Sequence, residues 1–242
     1  MKRIFAVALA FAATGASADE AFSLAEIQMN QSLSGSGTTV RAGFSTGYNW
    51  GDRFQTQGDV SLSRADEDSH FDFAFAVHGG YELAPELTVG GYLGLENAPF
   101  GPGDAWFHGL EAAVRNDVSH VQVFATRNGG PRFPGAGNVE AGGQASFGVT
   151  NRLSLVGSAV MGDNDDDDHV TFTYSGGVDY LMNNGAILNA ELVLWEQRVN
   201  WNITRAGTGL TAGFKYNLDQ NQRGFQQRSS IATFFGNEFR GP

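Results

Sequence analysis

The sequence predicts an all-β protein, an antiparallel up-and-down transmembrane β-barrel with an even number of strands, 12 to 14. Three observations predict it. From His70 to Tyr81 the chain alternates: Phe71, Phe73, Phe75 and Val77 take one face, and Asp72, Ala74, Ala76 and His78 take the other. That period of two recurs almost to the C-terminus, in units of about ten residues. Glycine is abundant, 33 residues, about twice an ordinary share. Finally, the chain starts with a secretory leader. A soluble sandwich would turn its apolar faces inward; export, glycine and the repeat predict the reverse, with the apolar face to lipid and the polar face to a lumen.

The leader is read over residues 1–18. Lys2 and Arg3 give the positive start, Ile4 to Ala13 the apolar stretch, and Ala16-Ser17-Ala18 a small-residue cleavage site. Residues 19–242 then form one barrel domain. The apolar stretch is too short to span as a helix, and no other segment approaches the roughly 20 apolar residues that a helix needs. With no cysteine, neither a lipoprotein anchor nor a disulfide framework is expected.

The strands follow in order, named by their apolar faces. A weak one holds Ala25, Ile27, Met29 and Leu33. Val40 to Trp50, Phe54 to Leu62, the Phe71 run, Leu87 to Leu95, Leu110 to Val114 and Val121 to Ala125 come next. Val139 to Val149, Leu153 to Met161, Val170 to Tyr180 and Leu188 to Leu194 continue the series. Val199 to Ile203, Leu210 to Leu218 and Phe225 to Phe235 close it. Tight connections (Trp50-Gly51-Asp52, Ala84-Pro85-Glu86, Asn116-Asp117, Thr150-Asn151, Asn183-Asn184-Gly185) alternate with long ones at 65–69, 97–105, 128–138 and 162–168. Turns on one side and loops on the other fit a barrel with periplasmic turns. With both termini periplasmic, the weak first strand must count. Between Leu194 and Val199 the apolar set changes from even to odd positions, and a phase slip turns a regular strand over. A turn near Gln197-Arg198 therefore gives 14 strands with consistent parity; 12 is the competing count.

In this pattern the chain resembles the small porin-like outer-membrane barrels of Gram-negative bacteria. Gly213-Phe214-Lys215-Tyr216-Asn217-Leu218 is similar to strand endings common in porins. The resemblance implies outer-membrane localisation, contact with lipid and lipopolysaccharide, and delivery by the barrel-assembly machinery, which reads a C-terminal aromatic. Phe234, Phe235 and Phe239 are available for that role, ahead of Arg240-Gly241-Pro242.

Charge narrows the function. Of 15 basic residues the leader holds Lys2 and Arg3, leaving 13 against 26 acidic ones, a net charge near −13. That argues against nucleic acid, whose phosphates need Lys and Arg. By alternation the lumen face holds Arg41, Arg53, Gln55, Gln57, Asp59, Asp72, His78, Glu96, Glu111, Arg115, Glu140, Gln144, Asp179, Glu191, Lys215 and Arg228. Between them stand small residues such as Gly43, Ser45, Ala74, Gly94, Gly109 and Gly142. Small inward residues keep space open. The expectation is a passive channel for small hydrophilic solutes; the alternatives are a structural or surface-interaction barrel and a soluble barrel holding an apolar ligand inside.

Other motifs are weighed against plainer readings. Asp163 with Asp165, Asp166, Asp167 and Asp168 could hold calcium adventitiously, or form a solvated outer loop. The segment is no EF-hand, since Asp168 stands where Gly is needed and Tyr174 where Glu is needed. No cofactor is expected. The five histidines show no nucleophile signature with a serine, so no enzyme is expected. Tyr48, Trp50, Trp106, Trp195, Trp201, Tyr216 and Phe235, near strand ends, suit aromatic girdles. The sequence leaves the oligomeric state open.

Overall fold

A computed structural model of the chain describes residues 20–34, 37–50, 53–65, 71–97, 105–129, 139–164, 169–199 and 202–217. The leader, Trp201, Arg228, Asp165 to Asp168 and the segment from Phe225 to Phe239 lie outside them. The strands are β1 (Glu20–Ser32), β2 (Thr38–Trp50), β3 (Phe54–Ala65), β4 (Asp72–Ala84), β5 (Leu87–Asn97) and β6 (Ala105–Arg115). They continue with β7 (Ser119–Gly129), β8 (Val139–Gly148), β9 (Leu153–Asn164), β10 (His169–Leu181), β11 (Ala186–Val199) and β12 (Asn202–Asn217). Each pairs antiparallel with its neighbour in sequence, and β1 pairs with β12, from Leu24 opposite Asn217 to Ser32 opposite Gly209. The barrel is closed, up-and-down and 12-stranded.

The count of 14 is thereby corrected. The phase slip is real, but it is absorbed inside one hairpin. Gln197 faces Arg205 while Arg198 faces Ile203, so Thr204 is the extra residue of a bulge. Gln197 and Arg198 lie within β11, the chain reverses after Val199, and Ile203 belongs to the same strand as Leu210. A second irregularity, at Leu83 in β4, falls where the strand meets its turn.

Turns at one end hold their shape locally. Gly185 has φ +83°, the left-handed conformation that the Asn183-Asn184-Gly185 turn requires. Asn116 Oδ1 accepts from the Val118 and Ser119 amides at 3.0 and 2.8 Å, and Thr150 Oγ1 caps the next turn similarly. The opposite end carries the connections 98–104 and 130–138, but also the short 165–168 and 200–201. The expected asymmetry of turns and loops therefore breaks down beside β10, β11 and β12.

Following the register once round returns to β1 about 14 residues further along. For 12 strands that stagger corresponds to a tilt of about 40° and a backbone radius of about 12 Å. An eight-stranded barrel is just filled by its own side chains. This one is wider.

The faces are sorted inside-out relative to a water-soluble protein. Phe71 is 61% exposed and Leu110 73%, whereas His78 is 1% and Gln122 0% exposed. Along β4 every residue from Asp72 to Gly80 follows the alternation, with Phe73, Phe75 and Val77 outward. A soluble barrel with an apolar interior would need the opposite. Phe54, Tyr81, Phe147, Tyr180 and Tyr216 are exposed near the turn ends, where amphipathic rings suit a membrane boundary. Trp106 is exposed near the loop end, but Trp195 shares the inner phase of Asn189, Glu191 and Val193, so its place in a girdle is corrected.

Candidate functional site

The inner wall is the candidate site, and its side chains divide into two regions. From β3 to β8 they are long, buried and linked side to side. Gln57 Nε2 donates to Asp59 Oδ1 at 2.8 Å. His78 Nε2 lies 3.0 Å from Asp59 Oδ2, and His78 Nδ1 lies 2.7 Å from Glu111 Oε1. Gln122 Nε2 donates to Glu111 Oε2 at 2.8 Å, and Gln144 Nε2 to Gln122 Oε1 at 3.0 Å. Both nitrogens of one imidazole lie beside carboxylates, Nδ1 within hydrogen-bond distance of Glu111 and Nε2 within ion-pair distance of Asp59. Buried carboxylates persist only when such partners compensate their lost hydration.

The His78–Glu111 contact passes over an intervening strand. β5 lies between β4 and β6, and its inward residues there are Gly90 and Tyr92. Gly90 carries no side chain, and the Tyr92 ring stacks on His78 with centroids 5.3 Å apart. Tyr92 Oη pairs with Thr126 Oγ1. On the loop side of His78, Ala76, Tyr92 and Phe107 form a buried apolar cluster.

Glycines on neighbouring strands receive these rings. A Cβ at Gly109 would lie 2.6 Å from Tyr92 Cζ, and one at Gly94 would collide with the Phe107 ring. At Gly142 the distance to Phe124 Cζ would be 3.0 Å. At Gly94 and Gly109 real Cβ atoms do not approach so closely, so a side chain there would displace the neighbouring ring, and at Gly109 and Gly142 it would also meet the backbone carbonyl of Ala125 or Ala159.

From β9 to β12 the wall is lower. Ser154, Val156, Ser158, Thr171, Thr173, Ser175 and Gly177 face inward, and only a short chain of polar contacts crosses them. Ser158 and Ser175 hydroxyls lie 2.8 Å apart, and Ser175 Oγ donates to Glu191 Oε2 at 2.7 Å. Asn189 Nδ2 donates to Asp179 Oδ1 at 2.5 Å and to Glu191 Oε1 at 2.9 Å. Lys215 Nζ donates to Asp179 Oδ2 at 3.4 Å. Register joins the two regions: Gln144 faces Ser158, and Lys215 faces Glu26, which pairs with Arg41 at 3.7 Å. A polar belt thus runs round the barrel, and its named bonds join strands at most two apart. They follow the wall and do not cross the lumen.

Of the residues singled out from sequence, Arg41, Gln55, Gln57, Asp59, Asp72, His78, Glu96, Glu111 and Glu140 lie inward and buried. Gln144, Arg115, Asp179, Glu191 and Lys215 lie inward and partly exposed. Arg53 does not face the lumen. It is exposed in the turn before β3, because the alternation had been carried one residue past the strand. Asp163 is exposed at the end of β9, on the outward phase of Leu155 and Met161. Among the described residues no group of three or more His, Cys, Asp or Glu side chains is arranged to hold a metal ion. Glu26, Asn30, Gln122, Asn128 and Asn189 are inner-wall residues that sequence reasoning missed. The even positions of β1 and β7 carried the signal, but those strands had been read by their apolar faces only.

Solved structures share this architecture. A NanC porin matches with a TM-score of 0.66 at 8% identity, covering 80% of this chain and 100% of that one. A KdgM porin matches with a TM-score of 0.58 at 10% identity, covering 81% and 99%. This is a porin fold. A second KdgM porin structure, described as a complex with disordered oligogalacturonate, gives a TM-score of 0.56 at 10% identity over 83% of this chain and all of that one. No protein-family model and no curated protein matches the sequence. Identities this low carry the porin fold and not the residues of any site.

Proposed function

We propose that the protein is a passive channel for small hydrophilic solutes across a bacterial outer membrane. One observation carries the reading: a barrel too wide to be filled from one side has mostly short side chains on the inner face of β9 and β10, among them Ser154, Ser158, Thr171, Thr173, Ser175 and Gly177. The inside-out faces, the girdle of aromatics and the porin fold support a membrane site, with the leader directing export. Outer-membrane lipid, lipopolysaccharide and the assembly machinery are the implied partners. No catalytic role is proposed.

The oligogalacturonate named with the KdgM porin is a polyanion, and it is not proposed as a solute here, because the wall of this barrel is rich in carboxylates. A second reading, a structural barrel without open-channel activity, draws on the packed Ala76, Tyr92 and Phe107 cluster. Conductance of the refolded protein in a planar bilayer separates the two. Steady ohmic steps support the channel, and silence from a demonstrably inserted barrel supports the structural role.

A further inference from the structure

We infer that the passage prefers cations to anions, an inference that rests on the channel reading above. Charges are sorted by face. Asp59 and Glu111 flank His78, while Asp179 and Glu191 lie on the low wall beside Lys215. Nearer the loop end, Asp72, Glu96 and Glu140 are inward and buried in β4, β5 and β8. Carboxylates outnumber Arg41, Arg115 and Lys215 on this wall, even with His78 counted as a cation.

Arginines are disposed the other way. Arg64 and Arg127 lie on the outward phase of β3 and β7, and Arg53 and Arg152 lie in turns; Arg205, opposite Gln197 on the inner phase at the loop end, is the exception. Among the described residues the inner wall therefore carries a net negative charge where a solute would pass. Low-dielectric walls focus such a field and raise the local concentration of counter-ions. Paired groups contribute as well, because a pair of unlike charges cancels but a group of two carboxylates on one imidazolium does not.

The test is the zero-current potential of the refolded, full-length mature protein in a planar bilayer under a tenfold potassium chloride gradient. The expected sign is that of a potassium-selective pore, with a cation-to-anion permeability ratio of about three or more at low salt. The ratio should fall towards one in 1 M salt, where the screening length shrinks to about 3 Å. The double variant Asp179→Asn/Glu191→Gln should lower it. If that variant does not fold, Asp72→Asn/Glu140→Gln provides the same reading from the other tier. Open steps with a ratio at or below one overturn the preference while leaving the channel intact. A ratio that both variants leave unchanged overturns the inner wall as its source. Silence from an inserted barrel overturns both readings together.

Discussion

The inner faces of β3–β8 and β9–β12 follow the same strand period but carry different side chains. On the first, His78, Gln57, Asp59 and Gln122 are wholly buried and bonded to one another. On the second, Ser158, Ser175, Asp179 and Glu191 remain partly exposed, and their bonds form a single short chain along β9 to β12. The difference shows how a closed sheet divides two tasks. One arc is thickened by packed polar groups and by rings packed against glycines, and it stiffens the barrel. The other arc is kept thin and leaves the space through which a solute would move.

Substitutions on the two arcs should therefore differ. The largest gap is expected between His78→Ala and Lys215→Ala. Removing His78 leaves Asp59 and Glu111 facing each other's charge in a buried site, which should cost about 3 kcal/mol or more. Lys215 and Asp179 are in contact with solvent, so Lys215→Ala should cost less than about 1 kcal/mol. Reversible urea unfolding in lipid vesicles measures both, and equal costs would remove the distinction between the arcs.

Glycine substitutions come next. Gly109→Ala drives a methyl against the Ala125 carbonyl oxygen and the Tyr92 ring and should cost about 2 kcal/mol or more in the same assay. Gly162→Ala, where an added Cβ meets only Glu140 Cγ at 3.6 Å, should be neutral or stabilising by about 0.5 kcal/mol. A smaller effect, read in current, is expected from filling the thin arc. Ser175→Trp should leave the protein folded and lower the single-channel step by about half. Ala76→Trp, at a site with no exposed surface, should instead reduce the folded fraction, seen as loss of the gel-mobility shift of the intact barrel.

The sorting of faces was legible in the sequence because it depends only on a local period of two. Phe71 to His78 can be read without knowing any neighbour. The strand number was not legible at Gln197-Arg198, because alternation records a change of phase and not whether the chain reverses or bulges there. A bulge and a turn leave the same mark, and only the pairing of Arg198 with Ile203 separates them. Closure of β1 on β12 is likewise non-local. The individual residues of the wall were largely legible, but their partners were not. His78 reaches Glu111 because β5 presents Gly90 and Tyr92 between them, a condition set by three strands at once. Arg53 was misplaced because a period carries no end signal, and the strand stopped one residue short of it.

The central claim is that water and solute pass along the thin arc, and cysteine accessibility tests it directly, since the chain contains no cysteine. Ser175→Cys and Gln122→Cys are each reconstituted in a bilayer and treated with a small, charged, membrane-impermeant thiol reagent. The prediction is that the reagent lowers every open step of Ser175→Cys and leaves the steps of Gln122→Cys unchanged. Block at position 122 with position 175 unreactive in an open channel would contradict it.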